Sequence, residues 1–334
     1  MDASLTGQRC LVTGASGFIG SHLTRLLVNE GARVRALVRR TSRLSALQDL
    51  PIELAYGDVT NPTDCKKAIE GIDYLFHVAG VVQVIKEDPE LLFRINRDGV
   101  RVMLEAALAA KVRRCVLTSS VAAIGPSRSA GAVDETNVWD ETLPHYPYAR
   151  SKYEGERIAL HLVQKGLDLV AVNPSTVIGA PDEGPSMGGK FLLAVLKKRF
   201  RVYVEVAFNC VDVEDVVRGH LLALTKGRTG ERYILNGTAL MLKEFLDLCE
   251  RCAGIPSPDL KVPYGVLWTA GALAGLVGAM MRRTLPLNLE KVRLIRYYGF
   301  YSNEKARREL GWSPRPLEET LSNTLAWLRE HHLK

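Results

Sequence analysis

The first half of the chain alternates short apolar runs with longer stretches of helical period. The runs that predict strands are Cys10–Thr13, Val34–Val38, Ile52–Ala55, Tyr74–Val78, Cys115–Leu117 and Leu169–Asn173. A polar turn and a helical stretch follow each of the first five runs. Such alternation predicts an α/β fold, with parallel strands joined by right-handed crossovers and helices on both faces. In a doubly wound sheet of this kind, the ligand site lies beyond the carboxyl ends of the strands.

A glycine-rich turn follows the first predicted strand. It reads Thr13-Gly14-Ala15-Ser16-Gly17-Phe18-Ile19-Gly20 and leads into the first helical stretch. Glycines allow a tight turn, a close approach of backbone to phosphate, and close packing of helix on strand. The helix N-terminus offers free N–H groups and the positive end of a dipole to a pyrophosphate. This placement predicts a dinucleotide site formed by Gly14, Ser16, Gly17, Phe18, Ile19 and Gly20.

Arginines follow the second predicted strand, with Arg39 and Arg40 adjacent and Arg43 nearby. Sites that prefer NAD usually place an acidic residue here for the ribose 2′-hydroxyl. A guanidinium group suits the 2′-phosphate of NADP. The sequence therefore favours NADP(H), with Arg39 in the site. NAD(H) is the alternative if these arginines belong to a solvated loop.

Two later turns complete the predicted cofactor site. Asp58 follows the third strand, where its carboxylate can reach the adenine edge. The fourth strand ends in His77-Val78-Ala79-Gly80, whose small residues allow the backbone to pass the adenosine side of the cofactor.

Tyr148 and Lys152 are four residues apart, which places both side chains on one face of a helix. A phenol has a reference pKa of about 10 and releases its proton poorly at neutral pH. A Lys ammonium beside it favours the phenolate and lowers that pKa. The pair is a candidate acid/base for a hydroxyl or carbonyl oxygen. The spacing alone is also typical of a solvated helix face, so the rest of the chain decides whether the pair is catalytic.

The length of 334 residues accommodates a main α/β domain and a smaller lobe. We expect a Rossmann-type cofactor domain over residues 1–180, to which 211–236 returns. Residues 181–210 and 237–334 are expected to form a smaller, mostly helical substrate lobe.

Composition and charge narrow the function classes. The formal net charge is +7, but no basic run is interleaved with aromatic residues, so a nucleic-acid partner is not predicted. The six cysteines form no disulfide framework, and the Cys249-x-x-Cys252 pair has no second half of a zinc site. No metal is predicted, and with no signal peptide before the first strand, a cytoplasmic location is expected.

The order of these motifs resembles the extended short-chain dehydrogenase/reductases of the NAD-dependent epimerase/dehydratase family. The motifs that carry the resemblance are the glycine-rich turn, Gly57-Asp58-Val59, His77-Val78-Ala79-Gly80, Thr118-Ser119-Ser120, Tyr148-x-x-x-Lys152 and Leu310-Gly311-Trp312-x-Pro314. Within the family, the chain is most similar to the dihydroflavonol-reductase and 3β-hydroxysteroid-dehydrogenase-like branch. The runs Val172–Gly179 and Gly219–Leu224 also resemble hopanoid-associated sugar epimerases.

The resemblance implies further site residues. Ser120 matches the Ser/Thr that holds the substrate oxygen, with Ser119 facing the other way if the strand pleat continues. Lys152 would also bind the nicotinamide ribose. Asn96 matches a structural Asn beside the site. The remaining cofactor positions implied by the match are Val59, Val78, Ala79, Gly80, Thr118, Pro174, Ser175 and Val177.

The resemblance implies an NAD(P)H-dependent oxidoreductase on a carbonyl/alcohol pair, with Tyr148 as the acid/base. A nucleotide-sugar epimerase or dehydratase with tightly bound NAD is the first alternative. The position of its usual phosphate-binding Arg holds Phe208, which favours a small or lipophilic substrate. A dinucleotide-binding sensor without catalysis is the second alternative.

Residues 262–281 are almost free of charge and are flanked by Lys261 and Arg282-Arg283. We expect a helix or hydrophobic lid of the substrate lobe, with membrane-surface contact and a true span as alternatives. The resemblance also allows a homodimer through helices near 97–110 and 148–165.

Overall fold

A computed structural model of the 334-residue chain describes residues 5–82, 88–127, 131–143, 145–280, 292, 297 and 299–333. For residues 276–280 it describes the backbone only.

The central element is a seven-stranded sheet in which every neighbouring pair is parallel. Its strands are β1 (Arg9–Thr13), β2 (Arg33–Val38), β3 (Glu53–Tyr56), β4 (Tyr74–His77), β5 (Arg114–Thr118), β6 (Leu169–Pro174) and β9 (Arg232–Leu235). The strand order is β3-β2-β1-β4-β5-β6-β9. The first six strands lie where the apolar runs predicted them, and the α/β doubly wound fold is confirmed.

Helices connect the strands and cover both faces of the sheet. They are α1 (Phe18–Asn29), α2 (Pro62–Ile69), α3 (Pro89–Phe93), α4 (Val100–Ala109), α5 (Val121–Ile124), α6 (Pro147–Gln164), α7 (Met187–Leu196), α8 (Val213–Lys226), α9 (Leu242–Ala253), α10 (Tyr264–Met280) and α11 (Leu317–His332). A 3-10 turn covers Ser45–Leu47, and π-helical turns cover Arg94–Gly99 and Ala306–Leu310.

Neighbouring residues of each central strand point to opposite faces, and both faces are buried. In β1, Leu11 packs into the core shared with α2, α4 and α6, whereas Val12 packs into the core shared with α1 and α8. Both side chains are fully buried. This two-sided burial explains why the strands read as continuous apolar runs instead of an alternating pattern.

A second sheet lies after β6. It has three strands, β7 (Thr176–Ile178), β8 (Ala207–Asp212) and β10 (Thr238–Met241), in the order β10-β8-β7. Helices α7, α9 and α11 pack on this sheet around a separate apolar cluster. The exact domain boundaries at 180, 211 and 236 stay a prediction.

Helix α10 carries no charged residue and exposes large apolar side chains. Val266 is 54% exposed and Leu273 is 64% exposed. Within the described part of the chain, no helix combines the length and hydropathy needed to cross a bilayer. Met281, the last residue of the predicted 262–281 segment, lies outside the described residues, as do Arg282 and Arg283.

Candidate active site

All predicted site residues line one cleft of about 510 Å³ at the carboxyl ends of the central strands. The residues predicted from the sequence that meet there are Gly14, Ser16, Gly17, Phe18, Ile19, Gly20, Arg39, Asp58, Val59, Val78, Ala79, Gly80, Thr118, Ser120, Tyr148, Lys152, Pro174, Ser175 and Val177. Residues separated by more than 150 positions thus come together, because parallel strands place their carboxyl ends at one edge.

Two positions of the glycine-rich turn, Gly14 and Gly20, have no room for a side chain. Gly14 has φ +67°, and a Cβ there would lie 2.8 Å from the backbone of Ala79. A Cβ on Gly20 would lie 2.1 Å from the Gly14 carbonyl oxygen. Gly17 caps α1 without any side-chain hydrogen bond, so the first N–H groups of the helix face the cleft uncapped. This cradle fits the pyrophosphate of a dinucleotide.

A buried hydrogen-bond chain fixes the turn after β4 next to that cradle. The Thr13 hydroxyl lies 3.0 Å from His77 Nδ1, and the N–H of Ala79 donates to the same hydroxyl at 3.1 Å. Burial, reinforced by the Lys152 charge, lowers the pKa of His77 to about 3. His77 is therefore neutral at physiological pH and supports the loop without adding charge to the cleft.

Ser120 begins helix α5 directly after β5. Its hydroxyl accepts a 3.1 Å hydrogen bond from the N–H of Ala122 and lines the cleft. The Ser119 hydroxyl is buried without a hydrogen-bond partner. Both serines reach the cleft, and Ser120 is the one that interacts with Tyr148.

Tyr148 and Lys152 lie in the first two turns of α6, and both are almost fully buried. Burial raises the pKa of Tyr148, while a hydrogen bond with Ser120 lowers it. Burial also lowers the pKa of Lys152 to about 8, and the nearby Glu156 carboxylate opposes this shift. The Lys152 ammonium donates to the Thr118 carbonyl oxygen at 2.7 Å. The helical spacing predicted that Lys152 lowers the pKa of Tyr148, but in the structure the group that lowers it is Ser120.

The end of the cleft that is predicted to hold the adenosine carries a basic residue. The Arg39 side chain is exposed there, and the backbone N–H of Arg39 donates to the Ser42 hydroxyl at 3.1 Å. The Asp58 carboxylate is engaged locally, because one oxygen accepts from both the N–H and the hydroxyl of Thr60. Arg40 instead lies over the Tyr56 ring at 5.5 Å.

Among the described residues, the opposite end of the cleft is uncharged. It is lined by Val81, Val82, Val121, Tyr146, Thr176, Met187 and Tyr301, among others. Of the described residues that line the cleft, those charged at neutral pH are Arg39, Asp58 and Lys152. All three lie among the predicted cofactor positions.

Phe208 packs inside the second lobe, away from the cleft. Its ring centroid lies 4.3 Å from that of Phe245 and 5.4 Å from that of Phe191. The position that would carry a phosphate-binding Arg is therefore part of an aromatic cluster.

Comparison with known proteins agrees with the family that the sequence motifs indicated. The sequence model described as "NAD dependent epimerase/dehydratase family" matches residues 10–236. The chain belongs to this family. It is an NAD(P)-dependent enzyme of the extended short-chain dehydrogenase/reductase type, as the sequence motifs predicted.

Relatives within the epimerase/dehydratase family span almost the whole chain. A Synechocystis sp. protein provisionally named dihydroflavonol 4-reductase is 36% identical over 324 residues, which cover 96% of this chain and 94% of that protein. A 3 beta-hydroxysteroid dehydrogenase/Delta 5-->4-isomerase of Mycobacterium tuberculosis is 32% identical over 94% of this chain and 88% of its own. The crystal structure of gox2253 superimposes with a TM-score of 0.90 at 35% identity, covering 98% of this chain and 99% of that one.

Some residues that line the cleft were not among the predicted site residues. Asn96 was expected to be structural, and it both lines the cleft and bonds both backbone polar groups of Val81, at 2.8 and 2.9 Å. Tyr301 and Met187 reach the cleft from the second lobe. No local motif marks those two positions, because only the tertiary fold brings them to the strand ends.

Proposed function

We propose that this protein is an NADP(H)-preferring oxidoreductase acting on an uncharged, lipophilic carbonyl/alcohol pair. The observation that carries the proposal is the convergence of Ser120, Tyr148 and Lys152 in a cleft whose far end, among the described residues, is uncharged and largely apolar. The glycine cradle and the uncapped start of α1 fit the cofactor's pyrophosphate. The bound nicotinamide supplies or accepts the hydride.

Tyr148 is the proposed acid/base. During reduction it gives its phenolic proton to the substrate oxygen, and during oxidation it takes that proton back. Ser120 lowers the pKa of Tyr148 and lines the same cleft, so we propose that its hydroxyl donates to the same oxygen. The pair therefore orients the reacting oxygen and transfers its proton.

Lys152 is proposed to act on both the cofactor and the proton donor. Its ammonium is buried at the base of the cleft and held by the Thr118 carbonyl. From there we propose that it reaches the nicotinamide ribose hydroxyls, and that its positive charge adds to the effect of Ser120 when Tyr148 gives up its proton.

The preference for NADP(H) rests on Arg39. Arg39 lines the cleft with an exposed side chain, and the acidic residue that shares the described lining, Asp58, is bonded to Thr60. A 2′-phosphate would gain a charge-assisted hydrogen bond there. NAD(H) would lack the carboxylate that usually binds its 2′-hydroxyl.

The charges that line the cleft indicate the class of substrate. A nucleotide sugar brings a diphosphate, and the described substrate end of the cleft offers it no cation. Phe208 occupies the expected Arg position inside an aromatic cluster. An uncharged ketone or secondary alcohol would instead pack on Val82, Met187 and Tyr301.

We further propose that the lobe formed by residues 181–210 and 237–334 surrounds the substrate, and that residues 1–180 with 211–236 hold the cofactor. The uncharged helix α10 exposes Trp268 and Leu273, which suits contact with a lipid surface. Co-sedimentation with anionic vesicles tests this contact, with Leu273→Glu as the variant expected to lose it. A homodimer through the π-turn, α4 and α6 stays a prediction that light scattering can test.

The function is tested by following NADPH and NADH oxidation over a panel of ketones, aldehydes and sterol-like carbonyls. The proposal predicts turnover with apolar carbonyls and a lower KM for NADPH. A nucleotide-sugar panel run alongside tests the epimerase alternative, which requires turnover without net change in cofactor absorbance.

A further inference from the structure

Glu156 is a carboxylate buried beneath the proposed active site. It lies on α6, one helical turn beyond Lys152, and is only 2% exposed. Tyr148, Lys152 and Glu156 are spaced by four residues, so all three occupy one face of the helix. A buried carboxylate is costly unless it is paired and hydrogen-bonded, so its partners indicate what it does.

The Glu156 carboxylate has two strong partners. One oxygen lies 3.0 Å from a guanidinium nitrogen of Arg232, and the other accepts from the Asn173 amide at 2.6 Å. The remaining Arg232 donors bond the main-chain oxygens of Glu135 and Asn137. The ion pair is therefore fixed on both sides, which holds the carboxylate in one position.

One partner leads directly to the proposed catalytic serine. The Asn173 amide nitrogen also donates to the Ser120 carbonyl oxygen at 3.0 Å. Glu156 therefore connects the helix that carries Tyr148 and Lys152 to the backbone of Ser120.

The second connection, between Glu156 and Lys152, is electrostatic. Burial disfavours the Lys152 ammonium, and the Glu156 charge opposes that effect. The other groups facing Lys152 do not replace it. His77 from β4 is kept neutral by burial, Tyr148 is a neutral phenol at physiological pH, and Thr118 from β5 offers a carbonyl oxygen.

Two more titratable groups of the described chain lie along the same cleft or against Thr118. Asp58 lines the same cleft from the turn after β3, where its carboxylate is bonded to Thr60. His220 from α8 contacts the Thr118 hydroxyl at 2.7 Å and is kept neutral by burial. Glu156 is thus the carboxylate on the protein side of Lys152, while Asp58 lies on the cofactor side.

We propose that Glu156 is a positioning residue for this active site, which keeps Lys152 in its ammonium form and, through Asn173, holds Ser120 at the cleft. This inference rests on the proposed function for its catalytic meaning. Its structural and electrostatic content is independent of any substrate.

The test measures the titration of Lys152 directly. Full-length protein labelled with ¹³C at lysine Cε is titrated by NMR, and Lys152→Met assigns the signal. In Glu156→Gln we expect the midpoint of Lys152 to fall by roughly one pH unit, because a neighbouring opposite charge is lost. A midpoint that is unchanged or higher overturns the proposal.

A second variant separates charge from packing. A Gln at 156 faces two donors, so the single variant loses hydrogen bonds as well as charge. In Glu156→Gln with Arg232→Gln, the two amides can bond each other, and both charges are absent. We expect its Lys152 midpoint to lie between those of Glu156→Gln and wild type. A return to the wild-type midpoint would assign Glu156 a purely structural role and overturn the proposal.

Glu154→Gln is the matched control. Glu154 lies on the same helix and pairs with Arg97 and Arg150, away from Lys152. Its removal should leave the Lys152 midpoint unchanged, and a shift equal to that of Glu156→Gln would contradict a specific role.

Kinetics supply the catalytic readout. With a carbonyl substrate, activity needs protonated Lys152 and Tyr148, so the alkaline limb of kcat should move to lower pH in Glu156→Gln. An alkaline limb that stays in place would overturn the role in catalysis. Wild-type protein that reduces no carbonyl would defeat the proposed function alone, since the Lys152 titration needs no turnover.

Discussion

The ammonium of Lys152 donates a 2.7 Å hydrogen bond to the main-chain carbonyl oxygen of Thr118. This bond joins the first turns of α6 to the end of β5 at the base of the cleft. The position of Lys152 is therefore set by the central sheet and does not depend on contact with Tyr148. The end of β5 thus holds the ammonium at the cleft, where the proposed function requires it.

Replacing Tyr148 by Phe should remove the proton donor and leave the cleft intact. We expect kcat to fall by roughly 10²- to 10⁴-fold, the usual contribution of a positioned general acid. Cofactor affinity, measured by fluorescence titration, should stay close to wild type. Tyr153→Phe is the control, because Tyr153 lies on the same helix but stacks on Trp139. Comparable turnover in Tyr148→Phe and wild type would refute the assignment.

Replacing Arg39 by Ala should reduce the preference for NADPH. Loss of a charge-assisted hydrogen bond is worth about 1.5–3 kcal/mol, so Kd for NADPH should rise roughly 10- to 100-fold. Kd for NADH should change little. Arg43→Ala is the control, since Arg43 follows Arg39 in the same loop but does not line the cleft. Equal losses for both cofactors would show that Arg39 does not read the 2′-phosphate.

Much of this architecture was predictable because the sheet is buried on both sides. Strand β6, for example, is buried along its entire length and reads as an uninterrupted apolar run. The glycine-rich turn was identifiable because its steric demand leaves no alternative residue at Gly14 or Gly20. The spacing of Tyr148 and Lys152 predicted one shared helix face, and the surrounding motifs, more than the spacing, made the pair a candidate acid/base.

The other features of the site depend on contacts between residues far apart in the sequence, and no local sequence pattern marks those contacts. Tyr301 reaches the cleft from 153 residues after Tyr148, and nothing around it in the sequence indicates this. Glu156 has the same helical spacing as the pair, but its role appears only when Asn173 and Arg232 are seen to hold it. The engagement of Lys152 with Thr118 could not be read from a motif either.

Gly155 tests the packing of α6 on the π-turn before α4. A Cβ there would lie 2.1 Å from the Asn96 carbonyl oxygen, so Gly155→Ala must displace one of the two segments. We expect the free energy of unfolding to fall by about 1–3 kcal/mol, the usual cost of overpacking. Urea denaturation measures this loss.

Gly275→Ala is the matched control for Gly155→Ala. Gly275 lies in α10, and a Cβ there meets no atom of the described residues within 4 Å. Removing a helical glycine should stabilise the protein by about 0.5–1 kcal/mol. If Gly155→Ala were as stable as Gly275→Ala, the close approach of α6 to Asn96 would be wrong.

His220 should make stability depend on pH. Burial lowers its pKa to about 4, so the unfolded chain takes up a proton at a higher pH than the folded protein does. Its contribution to stability is complete above pH ~6.5 and declines towards pH 4, by about 1.4 kcal/mol per pH unit. Urea denaturation between pH 4 and 8 should show a shallower decline in His220→Gln. His161→Gln, on an exposed position of α6, should match wild type.

The most direct test of the function is turnover of apolar carbonyl compounds by the purified protein with NADPH. The account predicts NADPH oxidation with cyclic or sterol-like ketones, abolished in Tyr148→Phe, and no conversion of UDP- or dTDP-sugars. Conversion of a nucleotide sugar without net cofactor oxidation, together with no reduction of any carbonyl, would contradict it.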